Sequence, residues 1–250
     1  GGPRVRFTAM SDTGNAIGAV LLDMAKREPD SFARNRQALE HVYWGPQYTD
    51  QEVAAELQAG KLEVVRLEQQ DLIGRAADAI HAGRVVGWFQ GRMEFGPRAL
   101  GNRSMLARPT ESSINDWLNE RLDRSEFMPF APSVLEEHAG EIFAGVEKAL
   151  HTARFMTITF DVRPEWRSRI PAVVHVDGTA RPQLVNETTN PLYYRLIKAY
   201  HARSGIPLVL NTSFNVHEEP IVCAPHEAVR AFVERRVDCL AIGSFWLAHP

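Results

Sequence analysis

The chain is poor in features that would tie it to a membrane or an oxidising compartment. None of its apolar runs approaches the roughly 18 residues that a membrane-crossing helix needs. The N-terminus lacks a charged-then-apolar leader pattern. Only two cysteines occur, Cys223 and Cys239, and neither has metal-ligand spacing. The expectation is two reduced, buried thiols in a cytoplasmic protein. The nine histidines are scattered, with no HxxH or HxxxH pair, so they suggest no metal centre. No segment is of low complexity, and no internal repeat with a period of roughly 20–50 residues is present. Net charge is only −3, which argues against a polyanionic partner such as RNA or a lipid surface.

What is present is an ordinary globular composition, 44% hydrophobic and 24% charged over 250 residues, enough for one large domain or two small ones. Gly1-Gly2-Pro3 followed at once by Arg4–Phe7 reads as entry in mid-fold, as though the chain were the C-terminal piece of a longer one. A strand is expected over 4–9 and a small-residue helix from Asn15 to about Lys26. From about Glu28 to Lys61 the composition turns polar and aromatic, and residues 28–70 read as a connecting region between two units. Within them Thr49-Asp50-Gln51-Glu52 resembles a capping box opening a helix over 50–59.

From residue 71 to 250 the pattern is that of one α/β domain. Asp71 is expected to cap a helix with Ile73, Ala76, Ala77 and Ile80 on its inner face. A buried strand follows over Arg84–Phe89, and Ile114, Trp117, Leu118 and Leu122 mark a further helix. Strands are expected over 128–135, 155–160, 207–210 and 239–242, with helices after Asn190-Pro191 and at Pro225. Helices and strands intermix without strict alternation, which predicts a mixed sheet.

The chemistry concentrates in Gly87–Pro109, GWFQGRMEFGPRALGNRSMLARP. Arg92, Arg98, Arg103 and Arg108 crowd around one carboxylate, Glu94, while Gly91, Gly96 and Gly101 recur every five residues. Arginine is always charged and its N–H fork matches phosphate or carboxylate oxygens. The run therefore reads as a cradle for a small anion. Its spacing fits neither common nucleotide fingerprint. A solvated loop paired with surface acids is the alternative. Leu210-Asn211-Thr212-Ser213-Phe214-Asn215 sets short polar side chains directly after an apolar strand, where they can bond phosphate or carbonyl oxygens or simply cap a turn. Val174–Arg181, VHVDGTAR, adds His, Asp, Thr and Arg around a glycine turn. Ser11-Asp12-Thr13-Gly14-Asn15 places a carboxylate before a helix, where it can cap that helix or meet a ligand.

The segments GWFQGRMEFGPRALGNRSML, EFMPFAPSVL, VVHVDGTARPQLV and PLVLNTSFNVHEEPIVCAPHEAV, in register from about residue 71 to the end, together resemble the O-carbamoyltransferases of the nodulation protein U and cephem or tobramycin carbamoyltransferase type. Residues 5–22, with MSDTGNAIGAV, look like the tail of that family's N-terminal actin-like (ASKHA) domain. The resemblance implies an α/β domain of YrdC-like fold over 71–250, a remnant of the actin-like domain over 1–27, and a connecting region over 28–70. It implies binding of carbamoyl phosphate and of ATP with Mg²⁺, formation of carbamoyl-adenylate, and transfer to an acceptor hydroxyl held mainly by the N-terminal domain. It assigns catalysis to Arg92, Arg98, Arg124 and Ser213. Substrate or ATP binding falls to Arg103, Ser104, Arg181, Asn211, Thr212 and Asn215. Asp12 resembles the family's metal-binding carboxylate, serving a divalent ion, iron by resemblance, only with histidines from the N-terminal part. One departure is plain: where many members read K-x-R-E-x-F-R-P-F-A-P, this chain has Asp123 and Met128 in place of the lysine and one arginine, leaving Arg124 and Arg121 as the cations nearby. Two other functions stay open at this level: a threonylcarbamoyl-AMP synthase-like enzyme of tRNA modification, and a non-catalytic nucleotide- or RNA-binding module. A homodimer stays open.

Overall fold

The structure is a computed structural model that describes residues 12–35, 39–121, 130–215 and 219–250, and of Asp12 and Thr13 only the backbone. In chain order the elements are α1 (Asp12–Arg27), α2 (Pro29–Arg34), α3 (Asp50–Ala59), β1 (Val65–Arg66), α4 (Gln69–His81), β2 (Val86–Phe89), β3 (Arg103–Ala107), α5 (Ser113–Arg121) and β4 (Ala131–Leu135). The short helices α6 (Ala139–Ile142) and α7 (Leu150–Ala153) follow, then β5 (Phe160–Asp161), α8 (Pro164–Arg167), β6 (Thr179–Ala180) and β7 (Gln183–Val185). The chain ends with α9 (Pro191–Ser204), β8 (Leu208–Ser213), α10 (Pro225–Val233), β9 (Cys239–Ile242) and β10 (Phe245–Ala248).

Eight strands form one mixed sheet in the order β1-β10-β9-β2-β3-β8-β4-β7. The β2–β9 and β4–β7 pairs are parallel and the other pairs antiparallel. Helices α4 and α9 pack on each other and over the central strands, and α10 packs with α3 beside β9 and β2. The core between them contains Trp88, Met105, Tyr193, Tyr200 and Phe214, all fully buried. No described helix is long and apolar enough to cross a membrane.

Local chemistry explains the starts of α3 and α9. Thr49 accepts a hydrogen bond from the Glu52 amide at 3.3 Å, and the Glu52 carboxylate accepts one from the Thr49 amide at 2.7 Å, a reciprocal capping box that opens α3. The Asn190 side chain accepts from the Tyr193 amide at 3.2 Å and Pro191 fills the first helical turn, so α9 begins there; Gly205, at φ +69°, ends it. Helix α4 begins two residues before Asp71, with Glu68 at its cap and no side-chain cap bond. Asp71 lies in the first turn instead, where its charge suits the helix dipole.

Other differences from the sequence pattern have physical causes. The expected loop through Pro109 ends early, because Arg103–Ala107 is a strand. This strand is central and buried along its whole length, so its sequence shows no alternation of polar and apolar residues. The strand expected over 155–160 shrinks to Phe160–Asp161, since Met156 adopts φ +53° and turns the backbone. Strand β10 follows β9 through a tight turn at Gly243, φ +54°. The segment expected to connect two units carries α3 and β1: Val53 and Leu57 enter the main core, and β1 pairs with β10. The strand expected over 4–9 lies outside the described residues.

Candidate functional site

The arginine-rich loop leaves β2 and returns as β3, and a buried carboxylate organises it. Glu94 is 5% exposed, and one of its oxygens accepts backbone N–H bonds from Leu100 at 2.6 Å, Asn102 at 2.8 Å and Arg103 at 3.3 Å. Burial pushes this carboxyl above the usual carboxylate range, and the amide bonds pull back. The loop is closed at its neck by Gln90 N–H to Asn102 O at 2.9 Å, and the Asn102 side chain donates to Arg92 O at 2.7 Å. Gly101 has φ +99°, and a Cβ there would overlap the Tyr193 ring, so only glycine fits. Residues 42–46 run alongside, with Phe95 N–H bonded to Val42 O and Met93 N–H to Pro46 O.

Strand parity then sorts the polar side chains. Asn211 on β8 lies opposite Leu106 of β3 and Ala131 of β4; Ser213 lies opposite Ser104; Gln183 on β7 lies opposite Ser133 of β4. Side chains alternate along a strand, so Ser104, Ser133, Gln183, Asn211 and Ser213 share one face. Arg103 is next to Ser104 and must point to the other. There it is fully buried, and its guanidinium donates to the carbonyls of Gln90 at 2.7 Å, Asn102 at 3.0 Å, Pro46 at 3.2 Å and Gly91 at 3.3 Å while lying over the Phe89 ring. Arg103 holds the neck of the loop and does not face the cleft. The fully buried Ser104 accepts the Gly101 amide at 3.0 Å, also in support of the loop.

On the shared face a cleft opens between the loop and the end of β8. Pro97, Arg98 and Ala99 form one side, Asn211, Thr212 and Ser213 another, and Phe130, Ala131, Met156 and Arg181 complete it. Arg98 and Arg181 are both half-buried. Burial lowers both guanidiniums from their usual range, and the positive charge of Arg98 lowers Arg181 further, so the two cations stand within electrostatic reach of each other. Neither is paired with a carboxylate among the described residues, and Arg181 Nε is buried without a hydrogen-bond partner. Arginine stays charged through such shifts. Two desolvated like charges with no counter-ion make a site that gains from binding an anion.

The remaining expected residues fall in different places. Arg92 is exposed on the outside of the loop. Arg108, fourth cation of the run, pairs with Glu111 at 2.6 Å. Ser213 Oγ donates to Asn215 Oδ1 at 2.5 Å, and Asn215 Nδ2 donates to Glu219 O at 2.8 Å, so these two fix the exit of β8. The turn before Arg181 is tied by Thr179, whose amide and hydroxyl donate to Asp177 at 2.9 and 2.7 Å, and by a 3.0 Å contact of His175 Nδ1 with the Thr179 hydroxyl. Burial, then the Arg181 charge, hold His175 below the usual imidazole range, opposed by Asp177. Arg121 is committed elsewhere: it lies over Trp117 and pairs with Asp238 at 3.0 Å. Arg124, Asp123 and Met128 lie outside the described residues, as does the side chain of Asp12. Among the described residues no group of three or more His, Cys, Asp or Glu could hold a metal ion.

Sequence reasoning overlooked the buried network beneath the cleft. Gln183 Nε2 donates to Leu100 O at 2.7 Å, as does the Tyr43 hydroxyl at 2.8 Å. Ser133 Oγ donates to Gln183 Oε1 at 2.7 Å, and Asn211 Nδ2 reaches Ser133 Oγ at 2.9 Å, Gln183 Oε1 at 3.2 Å and Ala99 O at 3.3 Å. Asn190 Nδ2 bonds Asn102 Oδ1 and the Tyr43 hydroxyl. The only signal was polar residues, Ser133 and Gln183, inside otherwise apolar strands.

Comparison with known proteins agrees with this architecture. A family model described as carbamoyltransferase C-terminus matches residues 77–249. Nodulation protein NolNO of Sinorhizobium fredii is 44% identical over 241 residues, 95% of this chain and 35% of that protein. The 3'-hydroxymethylcephem-O-carbamoyltransferase of Amycolatopsis lactamdurans is 32% identical over 238 residues, 94% of this chain and 42% of that protein. The chain thus spans well under half the length of these relatives. Among solved structures, full-length HypF in the phosphate- and nucleotide-bound form matches with TM-score 0.50 and 18% identity, covering 68% of this chain and 24% of HypF. P. abyssi Sua5 complexed with L-threonine matches with TM-score 0.50 and 16% identity, covering 72% of this chain and 48% of Sua5. The fold is the mixed α/β, YrdC-like one that the motifs implied.

Proposed function

The chain belongs to the carbamoyltransferase C-terminal family, and on that premise we propose that its cleft binds carbamoyl phosphate and ATP and produces carbamoyl-adenylate for transfer to an acceptor hydroxyl. The observation that carries this is the pair of half-buried guanidiniums of Arg98 and Arg181, unpaired with any carboxylate among the described residues, over the Asn211–Ser213 strand end. In the proposed reaction, water converts carbamoyl phosphate to carbamate and phosphate. A carbamate oxygen then attacks the α-phosphorus of ATP, forming a P–O bond and expelling pyrophosphate. Such chemistry is mostly positioning and charge stabilisation, which cations on a tied loop and turn beside the sheet supply. Arg98 and Arg181 would hold phosphate oxygens, the Thr212 and Ser213 strand end would bond the group between them, Arg92 and Asn215 would serve at the rim, and Arg124 would take the catalytic role that the resemblance implies. Arg103 and Ser104 would act through the loop they hold. No carboxylate lines the cleft among the described residues, so Mg²⁺ would enter with the nucleotide as its phosphate complex. The acceptor hydroxyl would be held chiefly by a preceding domain, which also fits a relative named for acting on a hydroxymethylcephem.

The test is pyrophosphate release and calorimetric binding of carbamoyl phosphate. Arg98→Ala and Arg181→Ala are each expected to weaken binding by about 10-fold or more, since each removes a charge-assisted bond worth roughly 1.5–3 kcal/mol, and Arg98→Ala to abolish pyrophosphate release. Unchanged affinity and turnover in both variants would overturn the assignment. Pyrophosphate release with bicarbonate and L-threonine, but not with carbamoyl phosphate, would move the activity to threonylcarbamoyl-adenylate synthesis.

A further inference from the structure

We infer that Gln183 determines specificity at this cleft as a positioning residue: it turns the Asn211 amide so that its carbonyl is offered to the ligand, and the cleft thereby selects an N–H-bearing carbamoyl group over an acetyl or carboxylate group of the same shape. The inference rests on the reading of the cleft as a carbamoyl phosphate site. It adds a chemical reason for selectivity and a residue that the motifs did not assign.

Polarity in the buried network runs one way. Leu100 O is a backbone carbonyl and can only accept, so the group of Gln183 that meets it at 2.7 Å must be the NH₂. That leaves Gln183 Oε1 facing Ser133 and Asn211, where it accepts from Ser133 Oγ at 2.7 Å. Asn211 now meets two obligate acceptors, Gln183 Oε1 at 3.2 Å and Ala99 O at 3.3 Å, and must present its own NH₂ to both. The amide cannot flip without placing oxygen against oxygen at two points. Oδ1 is thus the end of Asn211 left for the cleft that this residue lines. Asn211 is 2% exposed, and its Oδ1 has no hydrogen-bond partner among the described residues. A buried, unpaired acceptor is costly, and a ligand N–H removes that cost.

The surroundings agree. Arg98 and Arg181 supply positive charge for an anionic phosphoryl end, while Ala99, Ala131 and Met156 are apolar and offer no competing donor. A carbamoyl group carries an NH₂ and can meet Oδ1. A methyl group in its place leaves Oδ1 unpaired, and a carboxylate sets a charged oxygen against it. Sites built to bond a substrate N–H reject isosteres that lack it.

The experiment compares two stable, isosteric phosphonates by calorimetry: phosphonoacetamide, which ends in an amide, and 2-oxopropylphosphonate, which ends in a methyl ketone. Inorganic phosphate is the reference for the arginine pair. The wild-type chain is expected to bind the amide about 10-fold or more tightly than the ketone, the penalty of one buried unpaired acceptor. Gln183→Met keeps the volume but removes the relay, and Asn211→Leu removes the acceptor. Asn211→Leu is expected to bring the preference to within about 3-fold, and Gln183→Met, in which Ala99 O still holds the amide, to reduce it by a smaller factor while phosphate affinity in Gln183→Met stays within about 2-fold. A role in folding alone would lower all three affinities together and leave their ratio intact. Equal binding of amide and ketone by the wild type, with phosphate bound, would overturn the inference and leave the proposed function standing. A preference that survives in folded Asn211→Leu would also overturn it. Failure of the wild type to bind phosphate or either phosphonate would overturn the reading of the cleft itself. Should a variant not fold, the wild-type comparison decides.

Discussion

Replacing Glu94 with alanine should unfold the arginine-rich loop and cost the protein about 4 kcal/mol. One carboxylate oxygen accepts three backbone N–H bonds, two of them at 2.8 Å or less and one at 3.3 Å, in a residue that is 5% exposed. Water cannot take over these donors without the loop opening. An orphaned buried donor costs roughly 1–3 kcal/mol, and counting the long bond at the low end gives the total of about 4. Against a typical domain stability of about 5–15 kcal/mol this is a large loss. Glu94→Gln is the control, because it keeps an acceptor oxygen and discards the charge; it should cost no more than about 1 kcal/mol. The pH dependence separates the two effects. Burial raises the folded carboxyl above its unfolded value. The native state then holds the proton more firmly, so stability from this group falls as pH rises from the unfolded carboxylate range through the raised folded value. Across that window Glu94→Gln should gain on the wild type. Urea unfolding followed by tryptophan fluorescence measures both quantities. A Glu94→Ala variant within about 1 kcal/mol of wild type at pH 7 would refute the view that this carboxylate organises the loop.

Gly101→Ala is expected to destabilise by about 3 kcal/mol or more, since its Cβ would overlap the buried Tyr193 ring at a backbone φ of +99°; a thermal midpoint equal to wild type would refute this. Arg103→Lys should lower the urea midpoint strongly, because a single ammonium cannot bond the Gln90, Gly91, Asn102 and Pro46 carbonyls together. An unaltered midpoint with weaker phosphate binding would instead make Arg103 a ligand contact. His201 is held below the usual imidazole range by burial and then by the neighbouring His138, with Glu141 and Glu137 opposing. Its unfolded form binds the proton more readily, so stability is lost as pH falls through the unfolded value near ~6.5 toward the lowered folded one. His201→Gln should therefore narrow the gap between urea midpoints at about pH 5 and pH 7.5, and an unchanged gap would exclude His201 as its source.

The parts of the fold that could be read in the sequence are those where local chemistry and packing agree. Thr49–Glu52, Asn190-Pro191 and Pro225 mark helix starts because capping and a fixed φ act on neighbours in the chain. The strand over 86–89 is legible as a short apolar run. Strand β3 was hidden because RSMLA is buried on both sides and opens with a charged residue. Its arginine is tolerated there only because the facing turn supplies carbonyls, and those come from residues 46 and 90–91 as well as Asn102 beside it. Met156 was equally unreadable: nothing local calls for a left-handed methionine, and its place against Phe155, Ala131 and Leu100 is a tertiary fact. At the site, the arginine run and the NTSFN strand end could be seen as polar clusters. Which arginine faces the cleft could not, because that depends on the parity of a strand the sequence conceals.

That parity explains how a chain with a net charge of −3 builds a cationic site from a run of four arginines. Each cation has a different fate. Arg103 is neutralised by carbonyl dipoles on the far face of β3, Arg108 by Glu111, and Arg92 by solvent. Only Arg98 enters the cleft, and the second cation there comes from the distant turn at Arg181. The charge that reaches a ligand is therefore set by what the fold leaves unneutralised, and density of arginine in the sequence overstates it. The buried network beneath the loop follows the same economy: Asn211 has given up its donor to Ala99, and what it retains for the cleft is an acceptor. On the proposed reading, two cations that have no carboxylate partner among the described residues and one oriented acceptor suit a ligand that is anionic at one end and carries N–H at the other. Carbamoyl phosphate has both, whereas inorganic phosphate and acetyl phosphate have only the first.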